Sequence, residues 1–102
     1  MIVRIFQVTV HDGKQAEFED FFRNTALPLM KSQPGLVSLT ACTPRMETPN
    51  DFCMVMVWQD LDAMKAFVGE DWQSAHIHPD EAELVKARTI SHYELAENWQ
   101  AA

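Results

Sequence analysis

Three side chains with distinctive chemistry lie within one short stretch of this sequence: Trp72, His76 and His78. Imidazole titrates near neutral pH, so the two histidines are suited by type to accept a proton from a substrate. Trp72 follows the charged residues Glu70 and Asp71 in an irregular segment, where a bulky indole is typical of a pocket wall. The stretch therefore predicts proton transfer beside an aromatic surface.

These residues also have plainer interpretations. A histidine in such a segment can simply face solvent, and this alternative stays open for both His76 and His78. Their His-x-His spacing is also compatible with a metal site, but no third ligand stands at a convincing distance, since Asp80 and Glu81 are generic acidic residues. We therefore expect no metal.

Other candidate contacts are spread along the chain. Phe22 and Phe67 can form aromatic walls with Trp72, or can simply pack in the core. His92 and Tyr93 are neighbours on the last predicted strand, so they point to opposite faces and one of them faces the helices.

The first predicted strand carries two polar residues, Arg4 and Gln7. An odd spacing along a strand directs them to opposite faces. An arginine in a half-buried strand usually has a partner, and Glu94 is a candidate for Arg4.

Hydrophobic periodicity predicts the elements that position these side chains. Strands are expected at 2–10, 36–43, 52–58 and 89–95, a helix from Lys14 that Pro28 kinks or ends, a helix between Asp60 and Gly69, and a helical segment at 80–87. The order β-α-β-β-α-β is that of a ferredoxin-like α+β fold, an antiparallel sheet with helices on one face. We expect one domain over residues 1–102.

The third strand is apolar on both of its faces. One alternating set is Phe52, Met54, Met56 and Trp58, and the other is Cys53, Val55 and Val57. A chain of this length covers one sheet face with its own helices, so covering the second face predicts another copy of the chain, a homodimer.

Composition narrows the class of partner and the compartment. A formal net charge of −7 and a pI near 4.9 argue against nucleic acid and anionic membrane surfaces as partners. The N-terminal stretch reads as a strand rather than a signal peptide, and no apolar run approaches the roughly 20 residues that span a bilayer, so a cytoplasmic location is expected. Cys42 and Cys53 would oppose each other in a hairpin centred between Glu47 and Thr48, as reduced thiols.

Three short motifs carry a resemblance over nearly the whole chain. They are Gln33-Pro34-Gly35-Leu36 after the first helix, Val57-Trp58-Gln59-Asp60 before Ala63 and Phe67, and the terminal His92-Tyr93-Glu94-Leu95. Together they resemble the antibiotic biosynthesis monooxygenase (ABM) domains of the dimeric α+β barrel superfamily. That resemblance implies a homodimer with a small-molecule pocket between each sheet and its helices. It also implies a monooxygenase that oxidises quinol-like or polycyclic aromatic substrates with O₂ and needs no cofactor: no metal, flavin or heme.

The resemblance gives the candidate residues their roles. His76 would be the catalytic base. The ring contacts would be Trp72, Phe67 and Phe22, and the polar contacts Gln7, His92 and Tyr93. The alternative is a domain of the same fold that binds a small molecule, such as heme or a quinone, without turnover. No glycine-rich phosphate loop, nucleophile elbow or paired-carboxylate motif is present.

Relatives that degrade heme pair an Asn on the first strand with a Trp on the second helix and a heme-ligating His shortly after it. The segment from Ala75 to His78 resembles the ligand region, so the resemblance gives that role to His76. The Trp position holds Phe67, and the first strand offers Phe6 or Gln7 in place of Asn. With two of the three residues different, the resemblance does not predict heme degradation.

Overall fold

A computed structural model describes residues 1–74 and 78–102. Four strands form one antiparallel sheet in the order β2-β3-β1-β4: β1 Ile2–Val10, β2 Leu36–Cys42, β3 Asp51–Trp58 and β4 Val85–Glu94. The α-helices are α1 Gln15–Phe21, α2 Leu27–Lys31 and α3 Leu61–Val68, joined by a π-helical turn at Phe22–Ala26 and a 3-10 turn at Pro79–Glu81. The ferredoxin-like α+β fold class, with helices on one sheet face, is confirmed.

Strand register divides the side chains between two sheet faces. Arg4 lies opposite Met56 on β3 and opposite His92 on β4. Directly opposed residues share a face, so these three side chains lie on the side that α1 and α3 cover. The alternate residues lie on the other side, where Val3 faces Val57 and Tyr93.

The first helix is interrupted but does not end at Pro28. Proline has no N–H to donate to the preceding turn, and the chain widens into the π-helical turn Phe22–Ala26 before continuing as α2, with Pro28 near its N-terminus. The turn buries Phe22 against Phe18 and Phe52. A π-helical turn of this kind is often found beside a functional site.

Helix α3 begins and ends at the predicted residues. The Asp60 carboxylate accepts a hydrogen bond from the backbone N–H of Ala63 at 2.8 Å, which satisfies one of the free donors of the first turn. Gly69 ends the helix with a φ of 92°, a conformation that glycine adopts at little cost. Met64 is fully buried in the cluster that also contains Trp58.

Two local predictions were wrong. Residues 80–87 do not form a helix, because the 3-10 turn ends at Glu81 and β4 already begins at Val85, which pairs with Val10. The last strand accordingly begins at Val85 rather than at the predicted residue 89. On β2 the register shifts between Leu36 and Ser38, which leaves Val37 52% exposed while Leu36 packs on the core.

The hairpin between β2 and β3 has the predicted centre. Cys42 and Cys53 are direct cross-strand partners, and both thiols are free. Burial, with a smaller contribution from Cys42, raises the pKa of the Cys53 thiol.

Across residues 1–74 and 78–102, none of the helices combines the length and the apolar character that crossing a bilayer requires.

Candidate functional site

A cavity of about 270 Å³ lies between the sheet and the helices. Its wall is predominantly aromatic and methionine side chains, including Phe6, Phe22, Phe67, Met30, Met54 and Met56. Strands β1 and β3 form the floor of the cavity, because every second side chain of each strand points to the helix-covered side of the sheet. Such a wall suits a small aromatic molecule, and the volume lies near the lower end of the about 300–1,000 Å³ typical of ligand pockets.

Four ionisable residues interrupt this apolar wall: Arg4, Cys53, His78 and Glu81. Arg4 is only 4% exposed and Glu81 only 6%. Buried charged side chains normally require partners, so the contacts of each decide what the cavity can bind.

The guanidinium of Arg4 has two hydrogen-bond partners. Its Nη1 donates to the backbone carbonyl of Trp72 at 2.7 Å and lies 2.8 Å from Nε2 of His92. Because an arginine side chain can only donate, His92 must accept through an unprotonated Nε2. Burial, and secondly the charge of Arg4, lowers the pKa of His92, which is consistent with a neutral ring. Burial also lowers the pKa of Arg4.

The Glu81 carboxylate accepts a hydrogen bond from the backbone N–H of His78 at 3.1 Å. Burial raises the pKa of Glu81, although that hydrogen bond and the charges of His78 and Arg88 act in the opposite direction. A carboxylate with a raised pKa is a stronger proton acceptor than an exposed one. Glu81 is therefore a candidate base on the cavity wall.

The predicted contacts fall into two groups in the structure. Phe22 and Phe67 line the cavity. Trp72 and His92 lie beside it, with their rings 4.9 Å apart in an edge-to-face arrangement, and both contact the cavity residue Arg4. The structure thus brings four predicted residues to the helix-covered face of the sheet.

Gln7 and Tyr93 lie on the opposite face, and Tyr93 is 58% exposed. Their role as polar contacts stays a prediction. His76 falls within residues 75–77, outside the described residues, so its role as base also stays a prediction.

Sequence reasoning did not place Arg4 or Glu81 at the site, although they are the buried charged side chains within residues 1–74 and 78–102. The expected partner of Arg4 was Glu94, and this prediction was wrong. The guanidinium instead contacts His92 and Trp72. A signal for His92 was available, since it directly opposes Arg4 in the β1–β4 pairing. Glu81 gave no such signal, because its burial depends on how the 3-10 turn packs.

Residues 1–74 and 78–102 contain no group of three or more His, Cys, Asp or Glu side chains arranged to hold an ion.

The sequence matches one family of known proteins. Residues 1–79 match the family model described as antibiotic biosynthesis monooxygenase. No protein of curated function matches the sequence significantly.

Several solved structures share the fold. A protein of unknown function from Nitrosomonas europaea superposes with a TM-score of 0.77 at 20% identity, covering 99% of this chain and 94% of that one. The cofactor-independent oxygenase SnoaB from Streptomyces nogalater has a TM-score of 0.69 at 27% identity, covering 95% of this chain and 94% of its own. The heme-degrader MhuD from Mycobacterium tuberculosis, with two hemes bound in its active site, has a TM-score of 0.71 at 16% identity, covering 98% of this chain and all of its own.

Proposed function

Because this chain belongs to the antibiotic biosynthesis monooxygenase family, we propose that it is a cofactor-independent monooxygenase for a small aromatic or quinol-type substrate. The observation that carries the proposal is the cavity of about 270 Å³ between sheet and helices, with its aromatic and methionine wall and the buried carboxylate of Glu81 on that wall. The likeness to the cofactor-independent oxygenase SnoaB, at 27% identity, supports the same reaction class.

The reaction needs a substrate that becomes electron-rich on deprotonation and then reduces O₂ itself. A ring CH₂ group flanked by phenol-bearing rings loses a proton to a base, and the carbanion reacts with O₂. One oxygen atom becomes the new carbonyl and the other leaves as water, so that CH₂ and O₂ give C=O and H₂O. The protein must hold the ring, accept the proton and stabilise the anion in a dry site.

The proposed roles follow from residue chemistry. His76 is the proposed base, since its imidazole titrates near neutral pH. Glu81 is the competing base, because its buried carboxylate lines the cavity and its pKa is raised. Phe22 and Phe67, which line the cavity, hold the ring of the substrate, and Trp72 and His92 lie beside the cavity.

The protein is further proposed to act as a homodimer. The sheet face opposite the helices carries an apolar patch formed by the half-buried side chains of Val3, Ile5 and Val55, next to the buried Val57. A contiguous apolar patch on a sheet is a typical subunit interface, and an isologous pairing of two such faces would cover it.

Oxygen uptake tests the enzymatic proposal. Metal-stripped protein is incubated with anthrones, quinols and naphthols, and O₂ consumption is measured for the wild type, His76→Ala, Glu81→Gln and the control His11→Ala, an exposed histidine outside the cavity. We expect protein-dependent uptake that falls at least about tenfold when the base is removed and is unchanged in the control. A fall in Glu81→Gln alone would move the base to Glu81.

Binding without turnover is the second candidate, favoured by how few ionisable groups interrupt the apolar wall. Tight binding of a quinone, or of heme as followed by its absorption band, combined with no oxygen uptake from any substrate, would support a binding domain and count against the monooxygenase.

A further inference from the structure

The cavity wall contains a positive charge, on Arg4, whose hydrogen-bond partners carry no negative charge. We propose that Arg4 is an anion-binding residue of this cavity, so that the ligand is an aromatic molecule with an ionised oxygen, held as its oxyanion. This inference rests on the proposed function to the extent that a ligand must enter the cavity. It adds the charge of that ligand and the residue that recognises it.

The Arg4 side chain is buried. It lies in the middle of the sheet, opposite Met56 and His92, and is 4% exposed. Its neighbours on the cavity wall include Phe6 and Met56. Holding a guanidinium in such surroundings costs free energy unless an opposite charge is close.

Within residues 1–74 and 78–102, no negatively charged group contacts the Arg4 guanidinium. The partners of Arg4 are a backbone carbonyl and an imidazole that must be neutral to accept. No described carboxylate lies within 4.0 Å of the guanidinium, since the four ion pairs found all involve other residues. Glu81, the buried acid on the same wall, is influenced by His78 and Arg88 rather than by Arg4.

The Arg4 guanidinium has N–H donors left for a ligand. Its contacts to Trp72 O and His92 Nε2 both use Nη1. A guanidinium has five N–H donors. In the described part of the chain, no acceptor is bonded to Nε or Nη2. These donors form a planar fork suited to an oxyanion, and the two existing hydrogen bonds hold the group in place before a ligand arrives.

The competing interpretation is purely structural. In that account Arg4 ties the segment containing Trp72 to β4 through its two hydrogen bonds, and its charge has no role. A structural tie would be indifferent to the charge of the ligand, so ligand charge is the variable that separates the two accounts.

The experiment compares 4-nitrophenol with its uncharged methyl ether, 4-nitroanisole. Dissociation constants are measured above the pKa of free 4-nitrophenol, where it is ionised. The visible absorption of the phenolate also reports the pKa of the bound ligand. We expect the wild type to bind the phenolate at least about tenfold more tightly than the ether, a size typical of a charge-assisted hydrogen bond, and to lower the pKa of the bound phenol.

Matched variants assign the effect. Arg4→Met should remove the preference and the pKa shift, so that the variant binds 4-nitrophenolate and 4-nitroanisole about equally, and Arg4→Lys should retain part of both. Arg23→Met, which removes an exposed arginine outside the cavity, should behave as the wild type.

Each result bears on the inference. Equal binding of the two ligands by the wild type would overturn it while leaving the proposed cavity intact, and this comparison needs no variant to fold. A preference that persists in Arg4→Met would overturn the assignment to Arg4. Binding of neither ligand would overturn the inference and remove the binding cavity on which the proposed function depends.

Discussion

Arg4 and His92 constrain each other's charge. The 2.8 Å contact between Nη1 and Nε2 requires a neutral imidazole, and protonating it would place two positive charges side by side in a partly buried site. Burial and Arg4 together hold the pKa of His92 below its ordinary value of 6.5. The ring should therefore stay neutral at physiological pH and serve as a fixed acceptor for the guanidinium.

The first prediction concerns the titration of His92. In NMR the midpoint of His92 should lie below 6.5, and Arg4→Met should raise it, because the variant removes the nearby charge but not the burial. Arg23→Met should leave the midpoint unchanged. A midpoint at or above 6.5 in the wild type would contradict the Arg4–His92 hydrogen bond as described.

The same shift predicts a dependence of stability on pH. The unfolded chain binds a proton at His92 near pH 6.5, whereas the folded protein binds it only at lower pH. His92 therefore favours unfolding as the pH falls below about 6.5, and has no such effect above it. In urea unfolding at pH 7.5 and 5.5, His92→Gln should lose less stability on acidification than the wild type. Glu81 titrates in both proteins, so it cancels in the comparison, and an equal loss would count against the shift.

At the residue scale, sequence reasoning identified side chains by type and missed those whose importance comes from burial. Phe22 and Phe67 were selected as aromatic residues and line the cavity. Arg4 and Glu81 have unremarkable sequence surroundings, and only the fold removes them from water. The desolvation that changes their pKa values is a property of packing.

At the element scale, the contact between the start of β2 and helix α3 is unusually close. Gly35 has a φ of +84°, and a Cβ atom placed on it would lie 2.5 Å from the Cβ of Ala63. The carbonyl of Gly35 also accepts a hydrogen bond from the N–H of Gln59 at 2.8 Å. Glycine is thus required here for two reasons, its positive φ and the approach of the helix.

Gly13 provides a matched control for this contact. Its φ is +82°, but nothing lies within 4 Å of a Cβ atom placed on it. Gly35→Ala and Gly13→Ala therefore share the backbone strain and differ in the overlap with Ala63. We expect Gly35→Ala to lower the free energy of unfolding by about 1–3 kcal/mol more than Gly13→Ala, the typical cost of overpacking. If urea unfolding showed the same loss of unfolding free energy in both variants, α3 would shift to make room for the added methyl group at no cost in free energy.

The elements with strong local signals were predicted well. Asp60 and Gly69 bound α3 because a capping carboxylate and a terminal glycine act on their own backbone. The helix predicted for residues 80–87 does not form, because its helical pattern competes with strand pairing. Val85 pairs with Val10, and this long-range contact, invisible to a local pattern, prevails over helix propensity.

At the scale of the whole molecule, the two sheet faces have different proposed tasks. The helix-covered face carries the cavity, and the other carries the apolar patch of Val3, Ile5 and Val55. The sequence predicted that both faces of β3 are apolar, but not which alternating set faces the helices, because period-2 patterning is symmetric.

A charge introduced on the apolar patch should separate the subunits of the proposed homodimer. Val55 lies on the open face between Ile5 and Thr40. Val55→Asp should convert a particle of twice 11.7 kDa to one of 11.7 kDa in light scattering at micromolar concentration, because burying an unpaired carboxylate at the interface is costly. Val37→Asp, at an exposed bulge residue, is the control and should stay dimeric. A monomeric wild type would remove the dimer.

The central claim is that the cavity between sheet and helices is where an aromatic molecule binds, and methionine methyl NMR tests it most directly. Met30, Met54 and Met56 line the cavity, whereas Met1 and Met46 are exposed elsewhere, at 56% and 93%. Titration of ¹³C-methyl-methionine protein with 2-naphthol should shift the signals of the three cavity methionines, because an aromatic ring changes the field at adjacent methyl groups, and leave Met1 and Met46 unmoved. Shifts centred on Met1 or Met46, or no shift at any methionine, would contradict the claim.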